Sequence, residues 1–173
     1  MTYETPPKDK DRSCEADRAS EASRAIEGCR SFLESLELDH EIHTWAHAEE
    51  EPRDLCMAAR KRLLELGWAE DPDHEAIAER IEQECLEQPL AVQVRSAWED
   101  AGVELEAGEF KLELTTGGPA MQVLGDLDHN GWPCSPRLQY QDWFKPWRDY
   151  LEATEAQYEA LRWFVGLFNY GEG

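Results

Sequence analysis

His40, His43 and His47 recur at i, i+3 and i+7, with Glu49, Glu50 and Glu51 directly after them. On a helix this spacing brings three imidazoles to one side beside carboxylates, a donor set suited to zinc or nickel. The spacing is not HExxH, and the helical periodicity of the preceding stretch ends near residue 37. The plainer reading therefore prevails: exposed histidines in an acidic linker with a somewhat raised affinity for protons, and no metal or other cofactor. The loop Thr115-Thr116-Gly117-Gly118-Pro119-Ala120 lacks the lysine and following helix of a phosphate loop and reads as a tight turn, with Pro119 at the start of an edge strand. Asp142 stands among aromatics, but no His, Ser or second acid lies near it in sequence to complete a catalytic set. The five cysteines (Cys14, Cys29, Cys56, Cys85, Cys134) are widely spaced and form no CxxC pair. They read as reduced and mostly buried, not as a disulfide framework or a thiolate metal site. No enzyme is expected.

Charge is the dominant chemistry. Seventeen Lys and Arg stand against 38 Asp and Glu, a formal net charge of −21 over 173 residues, while 41% of the residues are hydrophobic. That apolar content, with seven Trp, is enough for a packed core, so the acidity does not mark a solvated tail. Residues 63–109 hold fourteen acids against Arg80 and Arg95, a net of −12. Residues 1–107 carry 28 acids and 12 bases, net −16; residues 108–173 carry 10 and 5, net −5. The surface expected to meet a partner is Glu70, Asp71, Asp73, Glu75, Glu79, Glu82, Glu84 and Glu87, continued by Glu99 and Asp100. Rows of carboxylates about 5–6 Å apart on a helix are a coarse copy of the dense negative charge of DNA, about one per 1.7 Å of axis. With no basic stripe, the chain itself is not expected to bind nucleic acid.

The elements that must carry these residues follow from periodicity. Residues 1–12 read as a flexible lead-in. Ala16, Ala19, Ala22, Ala25, Cys29, Leu33 and Leu36 predict a helix over 13–37 capped by Ser13. A second helix is expected over 52–66, from Pro52 to a stop at Gly67, and a third opens at Asp71-Pro72-Asp73 and ends before Pro89. After Pro89 the period turns to alternation. Leu90/Val92/Val94, Phe110/Leu112/Leu114, Met121/Val123/Leu127 and Leu138/Tyr140 predict four strands of an antiparallel meander. Asp128-His129-Asn130-Gly131 with Trp132-Pro133 makes a hairpin loop longer than two residues. A last helix over 153–168 presents Tyr158, Leu161, Val165 and Phe168 to the sheet. The expected fold is α+β: an acidic helical region (13–88), then a four-stranded antiparallel sheet with a C-terminal helix (89–173), together one compact domain.

Tyr140 to Tyr150 places five aromatics in eleven residues around Pro146. Trp143, Phe144 and Trp147 either form a partner-binding patch or fill the gap between the sheet and the last helix, the latter being favoured. The motifs TTGGPA (Thr115–Ala120), GDLD (Gly125–Asp128) and LQYQDWFKPWRDY (Leu138–Tyr150) resemble small, mostly uncharacterised proteins carried by bacterial phages, plasmids and integrated elements. The resemblance spans roughly residues 88–170 and implies a mobile-element setting, with no catalytic residues to carry over.

The reading that follows is an anti-defence inhibitor that mimics DNA and blocks a basic DNA-binding protein or nucleoprotein complex of the host, such as a restriction or CRISPR assembly. The alternative is a non-enzymatic accessory module that binds a basic protein through the aromatic patch. No basic n-region or long apolar run is present, so no membrane partner and a place in the bacterial cytoplasm are expected; a homodimer is compatible with either reading.

Overall fold

A computed structural model describes residues 10–48, 55–68, 73–96, 98, 100–102, 106–117, 119–143 and 145–171, with the side chains of the first helix from Ser23 onward. The helices are α1 (Lys10–Ala46), α2 (Met57–Glu65), α3 (His74–Glu87) and α4 (Glu155–Gly166). Five strands, β1 (Ala91–Ser96), β2 (Ala107–Thr115), β3 (Ala120–Leu127), β4 (Pro133–Gln141) and β5 (Arg148–Asp149), form one antiparallel meander in sequence order. The α+β expectation holds, with five strands in place of four. β5 has only two residues, paired to Gln139 and Tyr140, too short to show alternation. Among the described residues, no helix is long and apolar enough to cross a membrane.

α1 is the spine. It begins at Lys10, inside the expected lead-in, and continues nine residues past the expected stop at 37, because its buried stripe runs Ala25, Cys29, Leu33, Leu36, Asp39, Ile42, Ala46. Asp39 is the one charged member of that stripe, and it hides the periodicity beyond Leu36. α2 starts at Met57, capped by Cys56, whose Sγ accepts from the Ala59 N–H at 3.4 Å; the expected Pro52 start lies outside the described residues. Gly67 follows the helix at φ +91°, the left-handed conformation that ends many helices. α3 is capped by Asp73, whose Oδ1 accepts from the N–H groups of Glu75 (3.1 Å) and Ala76 (3.4 Å).

The helices cover one face of the sheet. Leu112, Val123 and Leu138 pair across three strands on that face, with Val92 of the edge strand β1 continuing the row but 44% exposed, and α4 closes over it with Gln157, Ala160, Leu161, Phe164 and Val165 buried. Of the expected face, Leu161 and Val165 are buried and Phe168 packs against the core, while Tyr158 is 39% exposed and lies outside the stripe. Thr154 and Gln157 form a reciprocal capping box that fixes the start of α4. β3 lies inside the sheet, so Pro119 opens a central strand and not an edge; the Thr115 hydroxyl accepts from the Met121 N–H at 2.8 Å to close that turn. The β3–β4 loop is longer than two residues, closed by Asp128 N–H to the Trp132 carbonyl at 2.9 Å.

At the far end of the sheet Phe110 lies over Gly125, its pairing partner on β3, and against the Tyr170 ring, whose hydroxyl donates to the Val165 carbonyl. A Cβ built on Gly125 would stand 2.5 Å from the Phe110 ring and 2.7 Å from the Cys134 carbonyl. Gly125→Ala should therefore destabilise the protein by about 1–3 kcal/mol through overpacking, measured by chemical denaturation, while Gly166→Ala, where nothing lies within 4 Å, should not destabilise it.

Candidate functional site

α1, α2 and α3 pack into an acidic helical layer. Inside it, Asp39 is fully buried and yet paired: Arg62 Nε of α2 donates to Asp39 Oδ1 at 3.0 Å. The same guanidinium donates through Nη2 to Glu84 Oε2 of α3 at 2.8 Å, and Arg80 holds the other oxygen of Glu84 at 3.2 Å. One chain of charges therefore joins three helices. Burial pushes the Asp39 carboxyl above the usual carboxylate range, with Arg62 acting against that rise. Because the folded state then holds the Asp39 proton more tightly than the unfolded chain, Asp39 loses stability as pH rises from its ordinary value, about 3.9, through its folded one. Cys29 and Cys85 are buried and their thiols are pushed up to about 12, inert hydrophobes as expected. Cys56 departs from that expectation: it is exposed, and its thiol donates to Glu41 at 3.3 Å.

The histidines are not in a linker. His40 and His43 lie on α1, both partly buried, and His47 is the exposed residue just past its end. His40 stacks on Trp163 of α4 at a ring-centroid distance of 5.2 Å, and desolvation followed by the nearby His43 holds its pKa below the ordinary value. His43 also meets Trp163 (5.0 Å), and its Nε2 lies 2.7 Å from Glu82 Oε1 of α3. Sequence spacing alone gave the His trio; Glu82, thirty-nine residues after His43, carries no local signal of that meeting.

The structure divides the predicted acidic row. Glu75, Glu79, Glu87 and Asp100 are exposed, with Glu87 accepting from Gln83 Nε2 at 3.0 Å. Asp73 caps α3, Glu82 faces His43, and Glu84 belongs to the Arg62 network. Glu70, Asp71 and Glu99 lie outside the described residues, as does Phe144. Glu75 and Glu79 stand one turn apart on one side of α3, while Glu84, expected with Glu87 in a neighbouring partner-facing row, is instead taken up by Arg62 on the opposite side.

In the aromatic run, Trp143 is 50% exposed and Trp147 is partly buried. Asp142 is buried and bound to Lys145 Nζ at 2.5 Å, with the Lys145 N–H donating to the Asp142 carbonyl at 2.8 Å. That pair fixes a turn, with no nucleophile or second acid joined to it in any hydrogen bond of the described residues.

The Arg62 network yields a comparison. Removing the cation leaves a buried carboxylate unpaired, whereas neutralising the carboxylate leaves Arg62 with Glu84. Arg62→Ala should cost about 3–5 kcal/mol, and Asp39→Asn clearly less, read from urea unfolding of both variants at neutral pH.

Compared with known protein families, curated proteins and solved structures, the chain matches none.

Proposed function

We propose that this protein is a non-enzymatic acidic inhibitor whose helical layer occupies the basic, DNA-binding cleft of a bacterial protein or nucleoprotein complex, consistent with the mobile-element resemblance of its C-terminal half. The observation that carries this reading is the disposition of the cations. Residues 63–109 contain two basic side chains, Arg80 and Arg95, and both are held by carboxylates of the same chain, Glu84 and Glu109. The exposed carboxylates of α3 are Glu75, Glu79 and Glu87, beside the exposed but Glu84-paired Arg80, on a helix with a capped start. Like charges one turn apart cost a helix a few tenths of a kcal/mol each, and a net charge of about 2–8 suffices for solubility in a small domain. The surplus is instead suited to long-range attraction toward a positive cleft, speeding association and falling with salt.

The half-exposed Trp143 supports a second reading, an accessory module that binds a basic protein through the 143–147 turn.

The variants that separate the two must leave the internal charge network intact, so Glu82 and Glu84 are kept. Glu75→Gln, Glu79→Gln, Glu87→Gln and Asp100→Asn together should hold or slightly raise the melting temperature while capture of DNA-binding proteins from bacterial lysate at low salt falls several-fold. Duplex DNA added as competitor should release the captured proteins, and the purified protein should not shift duplex DNA in a gel. Undiminished capture by the quadruple variant, with loss on Trp143→Ala in a folded protein, transfers the function to the aromatic turn. Direct binding to duplex DNA rejects the mimic reading.

A further inference from the structure

We infer that His43, His47 and Glu82 form a binding site for a divalent transition-metal ion, with zinc as the reference case. His43 and His47 lie four residues apart at the end of α1, so their rings meet edge to face along one side of the helix at 4.6 Å between centroids. Glu82 reaches the same point from α3, its Oε1 2.7 Å from His43 Nε2. One ligand atom from each residue lies within 4.8 Å of the other two. Two ligands at about 2.0–2.1 Å from a tetrahedral zinc are about 3.3 Å apart. A metal taking the place of the proton shared by His43 and Glu82 therefore asks that pair to open by about half an ångström, and rotation of the exposed His47 supplies the third bond.

Two imidazoles and one carboxylate select zinc, nickel or cobalt over magnesium and calcium, which prefer all-oxygen shells. Three protein ligands leave the fourth position to water. The surroundings favour a cation. α1 ends at Ala46, so the site sits at the negative end of that helix. On α3, Glu75 and Glu79 lie on the same side as Glu82, while Arg62 and Arg80 are engaged with Glu84 on the opposite side. From α4, Trp163 stands against both His40 and His43; it restricts the His43 ring and walls one side of the site with apolar surface. His40 turns to that tryptophan and is a neighbour of the site, not a ligand. A bound metal clips the end of α1 to the middle of α3, two segments joined here through side chains alone.

Metal-free protein titrated with zinc chloride, followed by calorimetry and by thermal melting, tests the site. One zinc per chain should bind with micromolar or tighter affinity and raise the melting temperature. His47→Ala, at an exposed position where folding is not at risk, and Glu82→Gln should each weaken binding by at least about tenfold, and His129→Ala, in the β3–β4 loop, should bind as the wild type does. Circular dichroism confirms that each variant is folded. The absence of saturable binding overturns the assignment, as does binding of unchanged strength in folded His47→Ala and Glu82→Gln, or an equal loss in His129→Ala.

Discussion

A carboxylate in the middle of an apolar helix stripe is the constraint on which this molecule is organised. Moving an isolated charge out of water costs several kcal/mol even after relaxation, so the buried Asp39 obliges a cation to come to it. Arg62 does so from α2 and is in turn held by Glu84 of α3, which Arg80 also contacts. A single planar guanidinium with several donors can satisfy two carboxylates at once, and in doing so it sets where three helices stand relative to one another. An all-apolar replacement of such a network is often as stable or more so; what the network adds here is register. It also holds Arg62 and Glu84 largely out of solvent, ties the exposed Arg80 to Glu84, and leaves Glu75, Glu79 and Glu87 facing out.

The chain divides its work accordingly. The first 107 residues carry −16 of the −21 formal charges and include the helical layer α1–α3 together with β1. The remaining part supplies the rest of the meander and α4; the sheet's core face, Phe110, Leu112, Val123 and Leu138, is covered by α1 and α4. Its opposite face is polar and mixed in sign, with Lys111 and Arg137 in one cross-strand row beside Gln93 and Leu124, and with the Gln122–Gln139–Asp149 row linked by hydrogen bonds of 2.9 and 2.7 Å. The sheet is a platform of low net charge, and the helices bear the field.

Much of this was legible in the residues. Period-2 alternation from Val92 to Tyr140 located four strands, and Gly67, Asp73 and Pro89 bounded helices where cap and turn chemistry places such boundaries. The failures have physical causes. Asp39 breaks the apolar period of α1 because its burial depends on a partner twenty-three residues away, and no local pattern reports that. A helix read as ending near residue 37 leaves His40, His43 and His47 in a linker, although their i, i+3, i+7 spacing is itself a helical signal. Glu82 and Glu84 read as members of an outward row, since spacing along one helix says which residues share a side but not which side meets a neighbour. β5 was missed because two residues cannot show a period.

The central claim is that the exposed acids of the helical layer, and not apolar contact, bring a basic partner to this protein. The direct measurement is the association rate constant of the wild type with a DNA-binding protein captured from bacterial lysate, followed by stopped flow from low to high ionic strength. Attraction between the acidic layer and a positive cleft predicts a rate that falls steeply as the Debye length shrinks to about 8 Å at physiological salt and below it beyond that, with dissociation changing little. An association rate that stays flat across that range contradicts the account.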